Sequence, residues 1–117
     1  MSASPGLLNL TLSQGATWKL NLVYNNGSGN PIDLTGYTAR MQARTSYDSS
    51  SAALSLTTGT GITLGGTAGT IDILVGATTT ASIGAAQYVY DMELVSNSGE
   101  VTRLIEGTLV VTPEVTR

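Results

Sequence analysis

The chain has 117 residues and a formal charge of −3, and it contains no Cys, His or Phe. That length holds one domain core and no second of ordinary size, while the missing Cys and His exclude disulfide scaffolds, thiolate chemistry, the usual zinc and iron–sulfur ligand sets and the commonest general base. Eight acidic residues against five basic ones are the wrong balance for tracking phosphates, and no apolar run approaches the roughly 20 residues of a membrane-spanning helix, so neither nucleic acid nor membrane is an expected partner.

Charged residues make up 11% of the chain, under half the usual share of about a quarter, and their place is taken by 18 Thr, 12 Ser and 14 Gly. Thr branches at Cβ and favours extended backbone, and Gly and Ser supply turns, so the composition is all-β. Residues 8–12 set Leu8, Leu10 and Leu12 against Asn9 and Thr11, the period of a strand with one buried face. After Ser13, Gln14 and Gly15 the alternation resumes as Trp18, Leu20, Leu22 and Tyr24 against Thr17, Lys19, Asn21 and Val23. Residues 25–30 tolerate positive φ and precede Pro31, which reads as a hairpin tip. The next strand sets Tyr37, Ala39, Met41 and Ala43 against Thr38, Arg40, Gln42 and Arg44.

Residues 45–52 are Ser-rich and read as an exposed, mobile loop. Two short strands are expected at residues 54–56 and 62–64, and another at 70–75 with Ile71, Ile73 and Val75 on one face. Residues 77–83 are the single place for a short helical or 3₁₀ crossover. The clearest strand covers residues 87–95, where Tyr88, Tyr90, Met92 and Leu94 alternate with Val89, Asp91, Glu93 and Val95. A hairpin turn at 96–100 leads into the last strand, with Val101, Arg103 and Ile105 on one face and Thr102, Leu104 and Glu106 on the other. Gly107 interrupts that strand as an expected bulge.

Seven to eight short strands with turns at this spacing predict an antiparallel immunoglobulin-like β-sandwich, a barrel being the alternative. The expected layout is a flexible N-terminal arm at residues 1–6 and one domain at 7–117. Its core should contain Leu20, Leu22, Met41, Ile73, Tyr90, Leu94 and Leu109.

Asp91 and Glu93 share a strand face and form a possible carboxylate pair or cation site, while Arg40 and Arg44 share another and invite an anion. Cross-strand pairing among the four is the simpler expectation. Asp33 and Asp48 read as turn residues whose carboxylates bond nearby backbone amides. Without His, no Ser or Thr has its ordinary activating base, and the lone Lys19 sits on a strand beside Trp18, so a non-enzymatic role without cofactor or metal is expected. Trp18, Tyr24, Tyr37, Tyr88 and Tyr90 all fall on inward faces, which leaves Tyr47 as the aromatic free to meet a partner. Loops on a rigid scaffold carry contacts more often than its strands do. The candidate interface is therefore Ser2, Ala3, Ser4 and Pro5 in the arm, Asn25 and Asn26 at the hairpin tip, and Ser46, Tyr47 and Asp48 in the Ser-rich loop, together with an outer edge strand.

Three segments, Ile32-Asp-Leu-Thr-Gly-Tyr-Thr-Ala-Arg-Met-Gln-Ala-Arg44, Tyr88-Val-Tyr-Asp-Met-Glu-Leu94 and residues 101–117, resemble small immunoglobulin-like β-sandwich structural proteins of tailed-bacteriophage virions. A similar layout occurs in the N-terminal immunoglobulin-like domain of phage upper baseplate proteins. The resemblance implies a virion component in capsid decoration, tail, baseplate or neck, assembled in the host cytoplasm in several copies beside other virion proteins. It carries no catalytic residues, and the loops at 49–56 and 59–69 stand outside it. The same composition fits a cell-surface adhesion or carbohydrate-binding module, which should show an exposed aromatic patch or a calcium site.

Overall fold

A computed structural model describes residues 6–116. The strands are β1 (Gly6–Leu7), β2 (Leu10–Ser13), β3 (Trp18–Val23), β4 (Thr38–Arg44), β5 (Leu54–Thr58), β6 (Gly61–Leu64), β7 (Thr70–Val75), β8 (Ala86–Val95) and β9 (Val101–Thr112), with one short α-helix, α1 (Ala77–Ala81), among the described residues; a 3₁₀ turn at Gly66–Ala68 corrects the expectation that residues 77–83 are the single helical place. Alternation in sequence becomes alternation in burial: along β8, Tyr88, Tyr90, Met92 and Leu94 are buried while the residues between them are half-exposed. The protein is all-β.

The strands form a single hydrogen-bonded sheet in the order β1-β9-β8-β4-β5-β6-β7-β3, with β2 also on β9. In a flat sheet the strands β2 and β3 would stand seven spacings apart, about 34 Å at about 4.8 Å each. Yet only residues 14–17 join them, and five virtual bonds span at most about 18 Å. The sheet must therefore curl back on itself to bring its two ends within that reach, without their pairing, and its inward side chains close into one core containing Leu12, Met41, Ile62, Ile73, Met92, Leu94 and Leu109.

The expected all-β fold is found, with its antiparallel pairing corrected to mixed pairing in one curled sheet. β1 and β2 run parallel to β9, and β5 and β6 meet in a short parallel contact, Thr57 opposite Gly61 and Thr58 opposite Ile62. The strand expected at residues 8–12 begins only at Leu10, as β2, a separate short β1 precedes it, and Gly6, expected to end the arm, is paired with Ile105. Residues 25–30 do form a locally closed tip, with Asn25 bridged to Pro31, but β3 and β4 are not partners. Beyond that tip the Asp33 carboxylate accepts from the Thr35 hydroxyl and amide, as expected of a turn residue, and these bonds hold its pKa below the usual range.

Gly107 is in register with Tyr90, and no bulge lies there. The register shift falls opposite Met92 and Glu93, which pair with Ile105 and Arg103 and leave Leu104 as the extra residue. Gly107 is needed for a different reason. A Cβ there would lie 2.5 Å from the Leu8 carbonyl oxygen, where the chain crosses from β1 to β2. That crossing is fastened by the Leu8 amide donating to Glu106 O (2.9 Å), the Thr108 amide donating to Asn9 Oδ1 (3.1 Å), and the Tyr90 hydroxyl donating to Leu8 O. Burial pushes the Tyr90 hydroxyl up to about 12, so it remains a donor throughout the ordinary pH range.

The far corner is held by α1 and its flanks. The buried Thr80 hydroxyl donates to Ala16 O (2.8 Å), Gln14 donates to Ile83 O (2.8 Å), and the Tyr88 hydroxyl donates to Gly84 O (2.6 Å). Tyr88 thus ties the start of β8 back to the crossover that precedes it.

Of the expected core, Met41, Ile73, Tyr90, Leu94 and Leu109 are buried, whereas Leu20 and Leu22 are only half-buried against it. Leu94→Ala is expected to cost about 2–5 kcal/mol in urea unfolding, and Leu22→Ala measurably less because a partly open site leaves no full cavity. Gly107→Ala should destabilise through its clash with Leu8, and an unchanged urea midpoint would contradict that packing.

Candidate functional site

Ser2, Ala3, Ser4 and Pro5 lie outside the described residues. The remaining candidates fall at opposite ends of the sheet, because the chain leaves β3 through residues 25–30, crosses over through residues 32–37, and reaches residues 45–48 only after running the length of β4. Asn26 is occupied within its own turn, its Oδ1 accepting from the amides of Ser28 (2.9 Å) and Asn30 (3.1 Å). Asn25 is exposed beside it. In the β4–β5 loop the Ser46 hydroxyl donates to Asp48 Oδ1 (2.9 Å), so Asp48 bonds a side chain rather than the expected backbone amide. Arg44 donates to Ser49 O (2.8 Å) and ties that loop down.

Tyr47 is 85% exposed and stands over a shallow groove of about 260 Å³ on the outer face of β4 and β8, lined also by Gln42, Arg44, Val89, Asp91 and Glu93. A neighbouring depression of about 320 Å³ continues over Arg40, Ser55 and Thr57. The structure therefore brings Tyr47 together with the charged strand face and leaves Asn25 and Asn26 apart from both. Trp18, Tyr88 and Tyr90 are buried and Tyr24 and Tyr37 half-buried, as expected of inward-facing positions.

The charged face is a cross-strand ladder. Pairing sets Arg40, Glu93 and Arg103 in one row across β4, β8 and β9, and Gln42, Asp91 and Glu106 in the next. Arg40 Nε lies 2.7 Å from Glu93 Oε1, while Arg103 reaches Asp91 at 3.4 Å and Glu106 at 3.5 Å. The expected pairing holds for Arg40 but not for Arg44, which donates to Gln42 Oε1 and Ser49 O instead of a carboxylate. Arg103 and Glu106 were expected on opposite faces. The extra residue at Leu104 shifts the alternation by one and puts both on the outer face, beyond the reach of period-two reading.

Partial burial raises the pKa of Asp91, with the nearby Glu93 and Glu106 adding to the rise and Arg103 and Arg40 opposing it. Among the described residues no group of three or more His, Cys, Asp or Glu is placed to hold a metal ion. What the face offers is a set of donors and acceptors on a firm, slightly curved surface, suited to polar contacts.

No protein-family model matches the chain, and no curated protein is significantly similar to it.

A carboxylate with a raised native pKa binds its proton more tightly folded than unfolded, so it weakens the fold increasingly as pH rises from the unfolded value of 3.8 through the native one. Asp91→Asn should therefore be at least as stable as the parent at neutral pH, with that advantage vanishing below about pH 4. An Asn variant that is less stable at neutral pH would show that the Arg103 contact outweighs the burial cost.

Proposed function

We propose that this chain is a non-enzymatic structural protein of a tailed-bacteriophage virion, acting through protein–protein contacts in a repeated assembly such as capsid decoration, tail, baseplate or neck. The observation that carries this reading is the unprotected edge of β3. Among the described residues this strand ends the sheet order and pairs only with β7. It is six residues long, with one charge and no Pro. Monomeric proteins usually blunt such an edge with several charges, Pro, a bulge or a covering loop, since its unpaired amides invite another strand. Val23 and Leu74, 57% and 56% exposed, add apolar surface alongside it.

Further support comes from the resembling segments, which form the adjoining strands β4, β8 and β9 around which the rest is built. A Cys-free β domain of this kind also keeps its fold in either redox environment.

Tyr47 favours a second reading, a carbohydrate-binding module, because an exposed ring above Gln42, Arg44, Asp91 and Glu93 matches the amphipathic chemistry of a sugar. The two separate in one comparison. Purified protein should co-sediment with purified virions and appear there as symmetric repeated density, with Tyr47→Ala having little effect. Protein that stays monomeric, is absent from particles, and binds glycans in a Tyr47-dependent way would establish the second reading instead.

A further inference from the structure

We propose that β3 is a self-pairing edge, joining two copies of this chain antiparallel about a two-fold axis at Leu20 so that their sheets become continuous. The proposal rests on the assembly reading and gives it a specific joint.

The direction of the free amides comes first. Tyr24, just past the end of β3, donates its amide to Gly69 O at 2.8 Å, on the side of β7. Backbone polar groups alternate sides along an antiparallel strand, so those of Lys19, Asn21 and Val23 face away from β7, toward the open edge. An arriving strand therefore meets donors and acceptors from these three residues.

Charge then selects the partner and the register. The strands β3, β6 and β7 carry one cation, Lys19, and one carboxylate, Asp72, and these two form no ion pair with each other. Asp72 instead accepts from Asn21 Nδ2 at 2.8 Å, through Oδ1 alone. With Leu20 on the axis, Lys19 lies opposite Asn21 of the second copy, whose row continues to Asp72 of that copy. Each lysine then reaches toward a carboxylate two strand spacings away, about 9.6 Å between backbones, within the span of the two side chains. The symmetry makes this contact twice. Sliding by one pairing step toward Lys19 sets lysine against lysine, and sliding the other way sets Lys19 against Val23 with Thr70 beyond it. Only the Leu20-centred register pairs the charges and exchanges main-chain bonds between Lys19 and Asn21.

The inner face agrees. Leu20 and Leu22 are half-buried, whereas Met41 of β4 and Met92 and Leu94 of β8 are closed off, and among the described residues no strand flanks β3 on the side away from β7. In this register Leu20 meets its own copy, and Trp18 meets Leu22, so the two cores join. A joint one strand long buries less than the about 800 Å² per partner of a standard interface, so it is weak in solution and is reinforced where many copies are held together.

Sedimentation velocity at rising protein concentration tests the joint. The parent should shift reversibly toward dimer. Asn21→Pro, which removes an outward amide and spares the main-chain β7 ladder while giving up the exposed Asn21–Asp72 side-chain bond, should abolish that shift with only a small change in melting temperature. Lys19→Glu should weaken dimerisation by about tenfold or more, and adding Asp72→Lys should restore it, since the swapped charges meet again across the axis. Dimerisation unaffected by Asn21→Pro overturns the β3 joint and leaves the assembly reading standing. A chain that stays monomeric at every concentration, yet loses virion binding on Asn21→Pro, assigns the edge to a different virion protein and overturns self-pairing. Failure of the assembly reading itself shows separately, as absence of the parent from particles.

Discussion

Four residues, 14–17, hold the fold to its shape. They tie the strand at one end of the sheet to the strand at the other, and a sheet whose ends are joined by so short a link has to wrap around its own apolar face. Gln14 binds this corner from both sides, donating to Ile83 O (2.8 Å) and accepting from the Glu114 amide (3.1 Å). The crossover helix and the C-terminal strand are thereby fixed to the same point. The core needs no disulfide for closure, because the corner, the Thr80 contact and the Tyr88 bond supply it.

The same curl decides which surfaces are left over. One layer presents the ladder on β4, β8 and β9, whose charges are largely spent on each other: Arg40 with Glu93, and Arg103 with Asp91 and Glu106. Such exposed pairs fix register and solubility more than they stabilise. The layer of β3, β6 and β7 is nearly uncharged and ends in an open strand. At the opposite end of the sheet order β9 is covered by β1 and β2, with Gly107 allowing the close crossing. The two ends are thus treated differently, one capped by the chain's own N-terminal strands and one left able to pair.

Local alternation was legible in the sequence wherever one face of a strand is buried, which is why β4, β7 and β8 lie close to where the pattern puts them. Alternation names faces and not neighbours, so it is silent on the parallel pairing of β1 and β2 with β9 and on β3 lying at an edge. It also fails across a bulge: one extra residue at Leu104 moved Glu106 to the outer face with Arg103, and Gly107, the obvious bulge signal, is explained instead by the approach of Leu8. Tyr47 stood out from its loop composition. Lys19 and Asp72 gave no signal, since their relation depends on β3 meeting β7, residues some fifty positions apart in sequence.

The central claim is that β3 is an edge built to be paired, and amide hydrogen exchange resolved residue by residue reads it most directly. In dilute protein the amides of Lys19, Asn21 and Val23 should exchange rapidly while those of Leu20 and Leu22 are protected by β7; on assembly the first three should become protected as well. Uniform protection along β3 in the dilute monomer, or no gain at Lys19 and Asn21 on assembly, would contradict the account.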